Sequence, residues 1–324
     1  MIRVALLLFT VLITACSKSP AAPTPPAPPV VVTPPIAAPP EVVCPNAISV
    51  TAPTSAGAPV TYTTPASDKG QGDVSVNCSP ASGSSFPVGA SEVECVATDS
   101  LNRTGKCTFA VTVAPPVRLR RTRIMAFGDS ITEGQVIVPG TESAELIDTP
   151  NSYPVVLAGL LGRRYTDQRI EVFNRGRATE RSELALSRFI GSFGIDRPDV
   201  VVLLEGYNDI IFASTPALGI EAAEAGVSAL AADARNRGAR VFICTLTPGK
   251  IGRRQIPNSS IGALNERLRV VARGEGAYLI DLYSALVRDI DGNIGSDGLH
   301  LTELGYRRVA ETVFEAIKTD LEAK

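Results

Sequence analysis

Histidine is nearly absent from this sequence: one imidazole occurs in 324 residues, and neither a CxxC nor an HExxH pattern is present. Histidine and cysteine are the usual ligands of transition metals. The sequence also lacks GxxxxGK[ST], and no GxGxxG follows a strand, so loops that cradle phosphates are not predicted. We therefore expect no metal and no cofactor. A formal net charge of −2 gives no electrostatic basis for binding nucleic acid.

Residues 1–15 have the composition of an export signal. Arg3 supplies a positive start, and the apolar run that follows is too short to span a bilayer. The run ends at "ITAC", which resembles a bacterial lipoprotein signal, so cleavage before Cys16 would leave this residue to carry lipid. Ser17, in place of an aspartate, is typical of sorting to the outer membrane in a Gram-negative host. The alternative is an ordinary secretory signal cleaved nearby.

Proline dominates residues 16–43, with ten prolines between Pro20 and Pro40. Proline restricts φ and removes amide donors, so such a segment favours an extended polyproline II conformation, about 3.1 Å per residue and roughly 60 Å in all. We interpret it as a tether that holds the rest of the chain away from a membrane.

Residues 44–113 alternate between apolar and polar positions in short runs separated by Gly, Pro, Ser and Asn. This pattern predicts a small antiparallel β-sandwich. Four cysteines in a short exported segment predict two disulfides with three connectivities, among Cys44, Cys78, Cys95 and Cys107. Cys244, in the apolar run "VFICTL", is expected to be a buried, unreactive thiol.

The segment "DVSVNCSPASGSSFPVGASEVECVATDSLNRTGKCTFAVTV" resembles the hyalin-repeat (HYR) family of immunoglobulin-like modules. The resemblance implies a spacer or adhesion module without catalytic residues. If its first and last strands run side by side, Cys44 meets Cys107, which leaves Cys78 with Cys95. Residues 114–121 form a further linker, and the four arginines of 114–123 are expected to be a solvated charge run.

Residues 122–324 change to short apolar runs that alternate with helical segments. The runs "RIMAF", "IEVFN", "DVVVLL", "ARVFICTL" and "AYLIDL" predict five buried parallel strands. Strand–helix alternation with right-handed crossovers predicts a three-layer α/β sandwich of flavodoxin-like order. In such a sheet, ligands bind at the carboxyl ends of the strands.

Chemically useful side chains follow these strands. Ser130 comes after the first strand, Asn208 after the third, and Asp297 and His300 precede the last helix. A serine nucleophile needs a base within hydrogen-bond reach, and His300 is the one histidine that could serve. Asp297 could orient its ring. Each segment taken singly could instead be a turn or a helix cap.

Together, "FGDSITEG", the asparagine of "GYND" and the Asp and His of "DGLH" resemble the signature blocks of the SGNH/GDSL hydrolase superfamily over residues 122–321. The resemblance implies Ser130 as nucleophile, His300 as general base and then acid, and Asp297 as the orienting carboxylate. It also implies an oxyanion hole formed by the Ser130 amide, an amide of the second block and the Asn208 side chain. The absence of GxSxG disfavours the α/β-hydrolase fold.

One position departs from that pattern. Where the second block usually has a glycine whose amide enters the oxyanion hole, this sequence has Thr179, and Gly176 lies three residues earlier. Because β-branched residues avoid positive φ, we expect Thr179 to serve only with a negative φ; otherwise Gly176 or an altered hole must substitute. Asp129 and Asp209 are expected to support the two turns.

The sequence therefore predicts an exported, lipid-anchored serine ester hydrolase of the outer membrane or cell surface. We expect its substrates to be carboxylic esters such as O-acetylated glycans, lipids or small acyl esters. The alternative is a surface adhesion or carbohydrate-binding protein with a weakened or inactive hydrolase domain. Segments 134–151 and 247–260 are expected to wall the site. No oligomeric state is indicated.

Overall fold

The computed structural model describes residues 38–69, 72–138, 141 and 145–323. The predicted signal at 1–15, the lipidation candidate Cys16 and most of the proline-rich segment lie outside these residues. In the part that is described, no helix is both long and apolar enough to cross a bilayer. The strands of the N-terminal module are β1 (Glu41–Val42), β2 (Ile48–Thr51), β3 (Ala58–Pro59), β4 (Ala66–Ser67), β5 (Val74–Ser79), β6 (Ser85–Phe86), β7 (Gly89–Asp99) and β8 (Thr104–Ala114).

The module is built around a four-stranded sheet in the order β2-β8-β7-β5, with β1-β4 and β3-β6 as short additional pairs. Along β8 and the second half of β7, exposed and buried side chains alternate, as expected for a half-buried strand. One pairing differs from the antiparallel expectation: β2 runs parallel to β8. These strands lie at opposite ends of the module, so no hairpin dictates their relative direction.

Two disulfides join parts of the module. Cys44 is bonded to Cys107 and Cys78 to Cys95, so one of the three connectivities is present. Cys78 and Cys95 are register partners on β5 and β7. Cys244 is buried and unpaired, and burial raises the pKa of its thiol, in agreement with the expected inert thiol.

The four arginines are only in part the solvated charge run that was expected, because Arg118 and Arg120 are exposed whereas Arg121 and Arg123 are half-buried. Arg121 donates to the carbonyls of Asp199 and Gly238 at 3.0 and 2.8 Å. Leu119 is buried, and its amide donates to the side chain of Gln168 at 2.6 Å. Because Leu119 is buried, the guanidinium group of Arg121 lies within reach of backbone carbonyls. The linker is therefore held against the domain that follows it.

The C-terminal domain contains a second set of elements. Its strands are β9 (Arg123–Gly128), β10 (Gln135–Ile137), β11 (Glu145–Ile147), β12 (Glu171–Gly176), β13 (Val200–Leu204), β14 (Arg240–Cys244) and β15 (Tyr278–Ile280). Its helices are α1 (Ser130–Glu133), α2 (Tyr153–Arg164), α3 (Leu186–Asp196), α4 (Tyr207–Phe212), α5 (Pro216–Asn236), α6 (Asn258–Gly274), α7 (Leu282–Leu286), α8 (Ile290–Asn293) and α9 (Glu303–Leu321).

Five of these strands form a parallel sheet in the order β12-β9-β13-β14-β15, which is the predicted flavodoxin-like order. The central strand, β13, reads VVVLL and is buried at every position, as required when helices cover both faces. One group of helices packs together through α2, α7 and α9, and another through α3, α5 and α6. The predicted three-layer α/β fold is confirmed.

The sheet aligns the carboxyl ends of three neighbouring strands. Gly128, the last residue of β9, is the register partner of Gly176 on β12 and of Leu204 on β13. The segments that follow these strands therefore begin side by side. We call this edge of the sheet, with the loop that carries Asp297 and His300, the rim.

Candidate active site

Ser130 occupies the first turn after strand β9. It is the first residue of α1, and the carboxylate of Asp129 caps that helix by accepting the amide of Ile131 at 3.0 Å. The cap leaves the Ser130 hydroxyl at the end of the strand, and the residue is 7% exposed. Helix capping explains why an aspartate precedes the serine.

Asp297 and His300 lie on the loop between α8 and α9. Asp297 Oδ1 accepts the amides of Leu299 and His300, each at 3.1 Å. The turn between them needs Gly298, whose φ is +87° and whose missing Cβ would lie 2.3 Å from the carbonyl oxygen of Lys250. This loop thus orients Asp297 through its own backbone and packs tightly against residues 250–252.

The three side chains form a continuous hydrogen-bonded chain. His300 Nδ1 lies 2.6 Å from Asp297 Oδ2, and His300 Nε2 lies 3.0 Å from Ser130 Oγ. Burial opposes ionisation of Asp297, but the hydrogen bond and charge of His300 and the backbone amides outweigh it and lower the pKa of the carboxyl. A carboxylate that stays ionised can hold the imidazole in the tautomer whose Nε2 accepts the serine proton.

Asn208 projects from the start of α4, after β13. Its Nδ2 donates to the carbonyl of Glu180 at 2.9 Å, which uses one of the two amide hydrogens and leaves the other for an oxyanion. The neighbouring Asp209 accepts the amides of Ser182 and Glu183 at 2.9 and 3.2 Å. Both side chains therefore hold the loop that contains Glu180, Ser182 and Glu183 against α4.

Thr179 adopts a conformation that the sequence argues against. Its φ is +62°, so the negative φ that we set as the condition for its role as a donor is not met. The two residues before it are anchored, because Arg177 donates its amide to the carbonyl of Gly128 and Ala178 donates its amide to Glu133 Oε2. The Thr179 hydroxyl donates to the preceding carbonyl at 2.6 Å. A left-handed conformation costs a non-glycine residue about 1–2 kcal/mol, and such strain is concentrated at functional sites.

The backbone amides of this loop differ in whether they already donate a hydrogen bond within the chain. The Gly176 amide donates to Asn174 Oδ1 at 2.9 Å, and that of Glu180 to the carbonyl of Arg177 at 3.3 Å. Between residues 176 and 180, all described, only the Thr179 amide has no acceptor within the described chain, and the residue is exposed. Gly176 is thus unavailable as the substitute donor, whereas Thr179 is available.

Glu145 is a charged residue beside His300 that sequence reasoning did not single out. It lies on β11, and one of its carboxylate oxygens is within 4.8 Å of a carboxylate oxygen of Asp297 and of a ring nitrogen of His300, the atoms that could bind a metal ion. Arg253 and Arg254 bind its Oε1 at 2.8 and 2.7 Å. Because the two guanidinium groups already neutralise it and Ser130 engages His300, this cluster does not suit a metal ion. No sequence periodicity marks Glu145.

Two cavities are lined in part by the segments expected to wall the site, and the first of them adjoins the His300 loop. One of about 460 Å³ lies between the β10–β11 hairpin and residues 295–303, and its apolar lining comes from Val136, Ile137, Val138, Leu146 and Leu301. The other, about 280 Å³, lies beside α4 and is lined by Ile210, Ile211, Pro216, Arg253, Arg254, Gln255, Ile256 and Pro257. Both segments expected to wall the site, 134–151 and 247–260, contribute residues to these cavities.

Below the rim lies a second group of carboxyls, which we call the floor: Asp129, Glu205 and Asp209. Asp129 and Glu205 are completely buried. Burial is the main reason that the pKa of Asp129 rises to about 7 and that the pKa of Glu205 rises well above its usual value. Burial also raises the pKa of Asp209. Sequence reasoning missed Glu205, although a charge directly after the apolar run of β13 was a visible signal.

Comparison with known proteins gives matches to both parts of the chain. Residues 126–308 match the GDSL-like lipase/acylhydrolase family, and residues 37–113 match the HYR domain. The chain is 27% identical over 224 residues to an acetylxylan esterase of Xylanibacter ruminicola. The match covers 60% of this chain and 43% of that relative, so this chain spans less than half of the relative's length.

Solved structures agree with the fold. A lipase/acylhydrolase from Enterococcus faecalis superposes with a TM-score of 0.51 at 25% identity, over 63% of this chain and 98% of that one. An acetyl-xylooligosaccharide esterase from Geobacillus gives a TM-score of 0.50 at 17% identity, over 61% of this chain and 94% of the other. At 17% identity, the match to the Geobacillus enzyme is evidence for the fold and not for the activity. The two domain resemblances inferred from the sequence are confirmed.

Proposed function

We propose that this chain, which belongs to the GDSL-like lipase/acylhydrolase family, is a carboxylic ester hydrolase whose catalytic residues are Ser130, His300 and Asp297. The observation that carries this proposal is the continuous hydrogen-bonded chain from Asp297 Oδ2 through the imidazole to Ser130 Oγ, at 2.6 and 3.0 Å. Family membership also favours an enzyme over the alternative of an adhesion protein with an inactive hydrolase domain.

In the first half of the reaction, Ser130 Oγ attacks the ester carbonyl carbon as His300 Nε2 accepts the hydroxyl proton. Asp297 stabilises the imidazolium that forms. The tetrahedral intermediate then expels the alcohol, which receives the proton from His300, and the acyl group stays on Ser130. In the second half, water attacks the acyl-enzyme, His300 again accepts and returns a proton, and the carboxylic acid leaves.

The negative oxygen of the tetrahedral intermediate needs donors that are in place beforehand. We assign this role to the amides of Ser130 and Thr179 and to the free hydrogen of Asn208 Nδ2. The unused Thr179 amide and the hydrogen bond that fixes Asn208 to Glu180 support this assignment.

For the substrate, we propose O-acetyl groups on glycans. The acetylxylan esterase of X. ruminicola is a relative in sequence, and it supports this class within the broader set of carboxylic esters. The apolar cavity of about 460 Å³ behind the hairpin favours a second candidate, an ester with a longer acyl or alkyl chain.

A panel of esters distinguishes these candidates. We expect acetate to be released from acetylated xylo-oligosaccharides and from p-nitrophenyl acetate faster than longer acids from the matching p-nitrophenyl esters. A preference for longer chains would assign the enzyme to lipid or acyl esters. Ser130→Ala should abolish turnover and labelling by a fluorophosphonate; turnover that survives would remove Ser130 as nucleophile.

We further propose export and lipid anchoring, with residues 1–15 as signal, 16–43 as tether, 44–113 as module, 114–121 as linker and 122–324 as hydrolase domain. The two disulfides and the HYR domain support an oxidising, extracellular location. Cys16→Ala should release the protein from membranes without changing esterase activity. Membrane attachment that persists in this variant after signal cleavage would contradict the lipid anchor.

A further inference from the structure

Glu205 and Asp129 are neighbours in the sheet. Gly128 and Leu204 are register partners at the ends of the adjacent parallel strands β9 and β13, and Asp129 and Glu205 are the residues that directly follow these strands. Asp129 directly precedes Ser130, so the Glu205 carboxyl lies next to the turn that presents the nucleophile.

Neither Glu205 oxygen has a hydrogen-bond partner among the described residues, although the residue is 1% exposed. Asp129 Oδ2 is in the same situation. Several unpaired polar atoms in one buried region are unusual in a folded protein. An ionised Glu205 carboxylate is especially unfavourable there, because it accepts no hydrogen bond and no cation is bound to it.

The charges that face this pair do not compensate it. Glu180 and Asp209 add negative charge, and Arg188 supplies a cation that is already bound to Glu180. From the remaining elements packed around the pair, the titratable groups are neutral phenols and a thiol: Tyr153, Tyr207, Tyr306 and Cys244. Four carboxyls thus share one guanidinium.

We propose that Glu205 is a positioning residue that keeps its proton throughout the working pH range and so limits the negative charge beneath Ser130. This inference rests on the proposed function for its effect on catalysis only. Like-charged carboxyls in one buried site do not both ionise, and the more enclosed one retains the proton. Asp129 has one oxygen paired with the Ile131 amide, whereas Glu205 has none, so the proton belongs to Glu205.

The catalytic consequence is electrostatic. The tetrahedral intermediate carries its negative oxygen at the Ser130 amide, just above the floor. A second buried charge at Glu205 would repel that oxygen in a region of low effective dielectric. A neutral Glu205 removes this repulsion while the floor keeps its shape.

Infrared spectroscopy tests the protonation state directly. At about pH 8, above the pKa of about 7 for Asp129, exposed carboxyls are also ionised, and we expect the wild type to keep a C=O stretch of a protonated carboxylic acid. Glu205→Gln should lose this band, whereas Glu311→Gln, a change of an exposed glutamate on α9, should keep it. Identical bands in wild type and Glu205→Gln would overturn the proposal.

Stability against pH gives an independent test that involves no substrate. A glutamate of an unfolded chain has a pKa of about 4.3. Above that pH the folded wild type binds one more proton at Glu205 than the unfolded chain does. The unfolding equilibrium constant of the wild type should therefore rise relative to Glu205→Gln by about tenfold per pH unit. A ratio that stays flat between about pH 5 and about pH 8 would contradict a protonated Glu205.

Kinetics test the catalytic part. Because glutamine resembles a protonated glutamate, kcat of Glu205→Gln should stay within about threefold of the wild type near pH 7. Because Glu205 keeps its proton across the working pH range, the ratio of the two kcat values should stay the same throughout that range. A tenfold gain or loss at neutral pH, or a ratio that changes with pH within the working range, would refute the electrostatic role. If Ser130→Ala stayed active, the proposed function would fail while the spectroscopic and stability results could still hold.

Discussion

The rim and the floor both contain buried carboxyls at the same end of one sheet, yet the two environments act on them in opposite directions. At the rim, Asp297 accepts two backbone amides and the imidazole of His300, and its pKa is lowered. On the floor, Glu205 accepts no hydrogen bond from the described residues, and its pKa is raised. Burial is complete at both sites, so the supply of donors decides which acid is charged.

The largest expected effect on kcat comes from removing the negative charge of Asp297 at the rim. Asp297→Asn keeps the size of the side chain but favours the wrong imidazole tautomer, so kcat should fall by about 10⁴-fold. Steady-state hydrolysis of a p-nitrophenyl ester measures this. Asp291→Asn, a change of an exposed carboxylate on the preceding helix, is the control and should be silent. An equal fall in both variants would mean that the loop, and not the charge, had been damaged.

Removing the neutral amide donor of Asn208 should lower kcat less than removing the charge of Asp297. Asn208→Ala removes a hydrogen bond made to the oxyanion, so kcat should fall by about 10²–10³-fold with little change in KM. Asn236→Ala, at the exposed end of α5, should leave both constants unchanged. A rise in KM alone would show that Asn208 binds the ground-state ester.

The two environments should also have opposite effects on stability against pH. Asp297 has a lowered pKa in the fold, so its stabilising effect is present above the unfolded value of about 3.9 and is lost as pH falls through the folded value. Asp297→Asn should thus be less stable than the wild type at neutral pH, by about 1–3 kcal/mol, with a smaller deficit in acid. Urea unfolding at several pH values measures this, and Glu205→Gln should show the reverse trend. Parallel trends in both variants would remove the distinction between rim and floor.

The smallest effect concerns backbone strain at the rim. Thr179→Gly relieves the positive φ and should raise the free energy of unfolding by about 1 kcal/mol. Thr179→Ala retains most of the strain and serves as the control. Both variants keep the amide, so kcat should change less than about threefold. A large loss of activity in both would show that the hydroxyl, rather than the amide, is what the site uses.

Much of the rim could be predicted because it depends on local rules. Parallel strands bring their carboxyl ends together, so Ser130, Asn208, Asp297 and His300 could be placed near one another from strand order alone. The conformation of Thr179 could not be predicted, because the loop contacts to Gly128 and Glu133 override the intrinsic preference of threonine. Tertiary anchoring, and not residue type, sets that φ.

Glu145 and the linker illustrate a second limit. Glu145 reaches His300 only because the β10–β11 hairpin folds over the loop, and its partners Arg253 and Arg254 are more than 100 residues away in sequence. The linker arginines look like a solvated run in the sequence, but Leu119 among them is buried and Arg121 donates to two backbone carbonyls. Long-range contacts of this kind have no periodic signature.

That fastened linker has a consequence for how such a chain can change. It leads into β9 at Arg123, whereas Ser130 follows the other end of the same strand, roughly 20 Å away. The module also contacts the domain at this starting end, where Thr166 donates to the carbonyl of Pro53 and Ser55 donates to Asp167. Whatever precedes the domain is therefore joined to it on the side away from the chemistry. Evolution, or an engineer, can exchange, lengthen or delete these N-terminal parts without having to rebuild the site that breaks the ester.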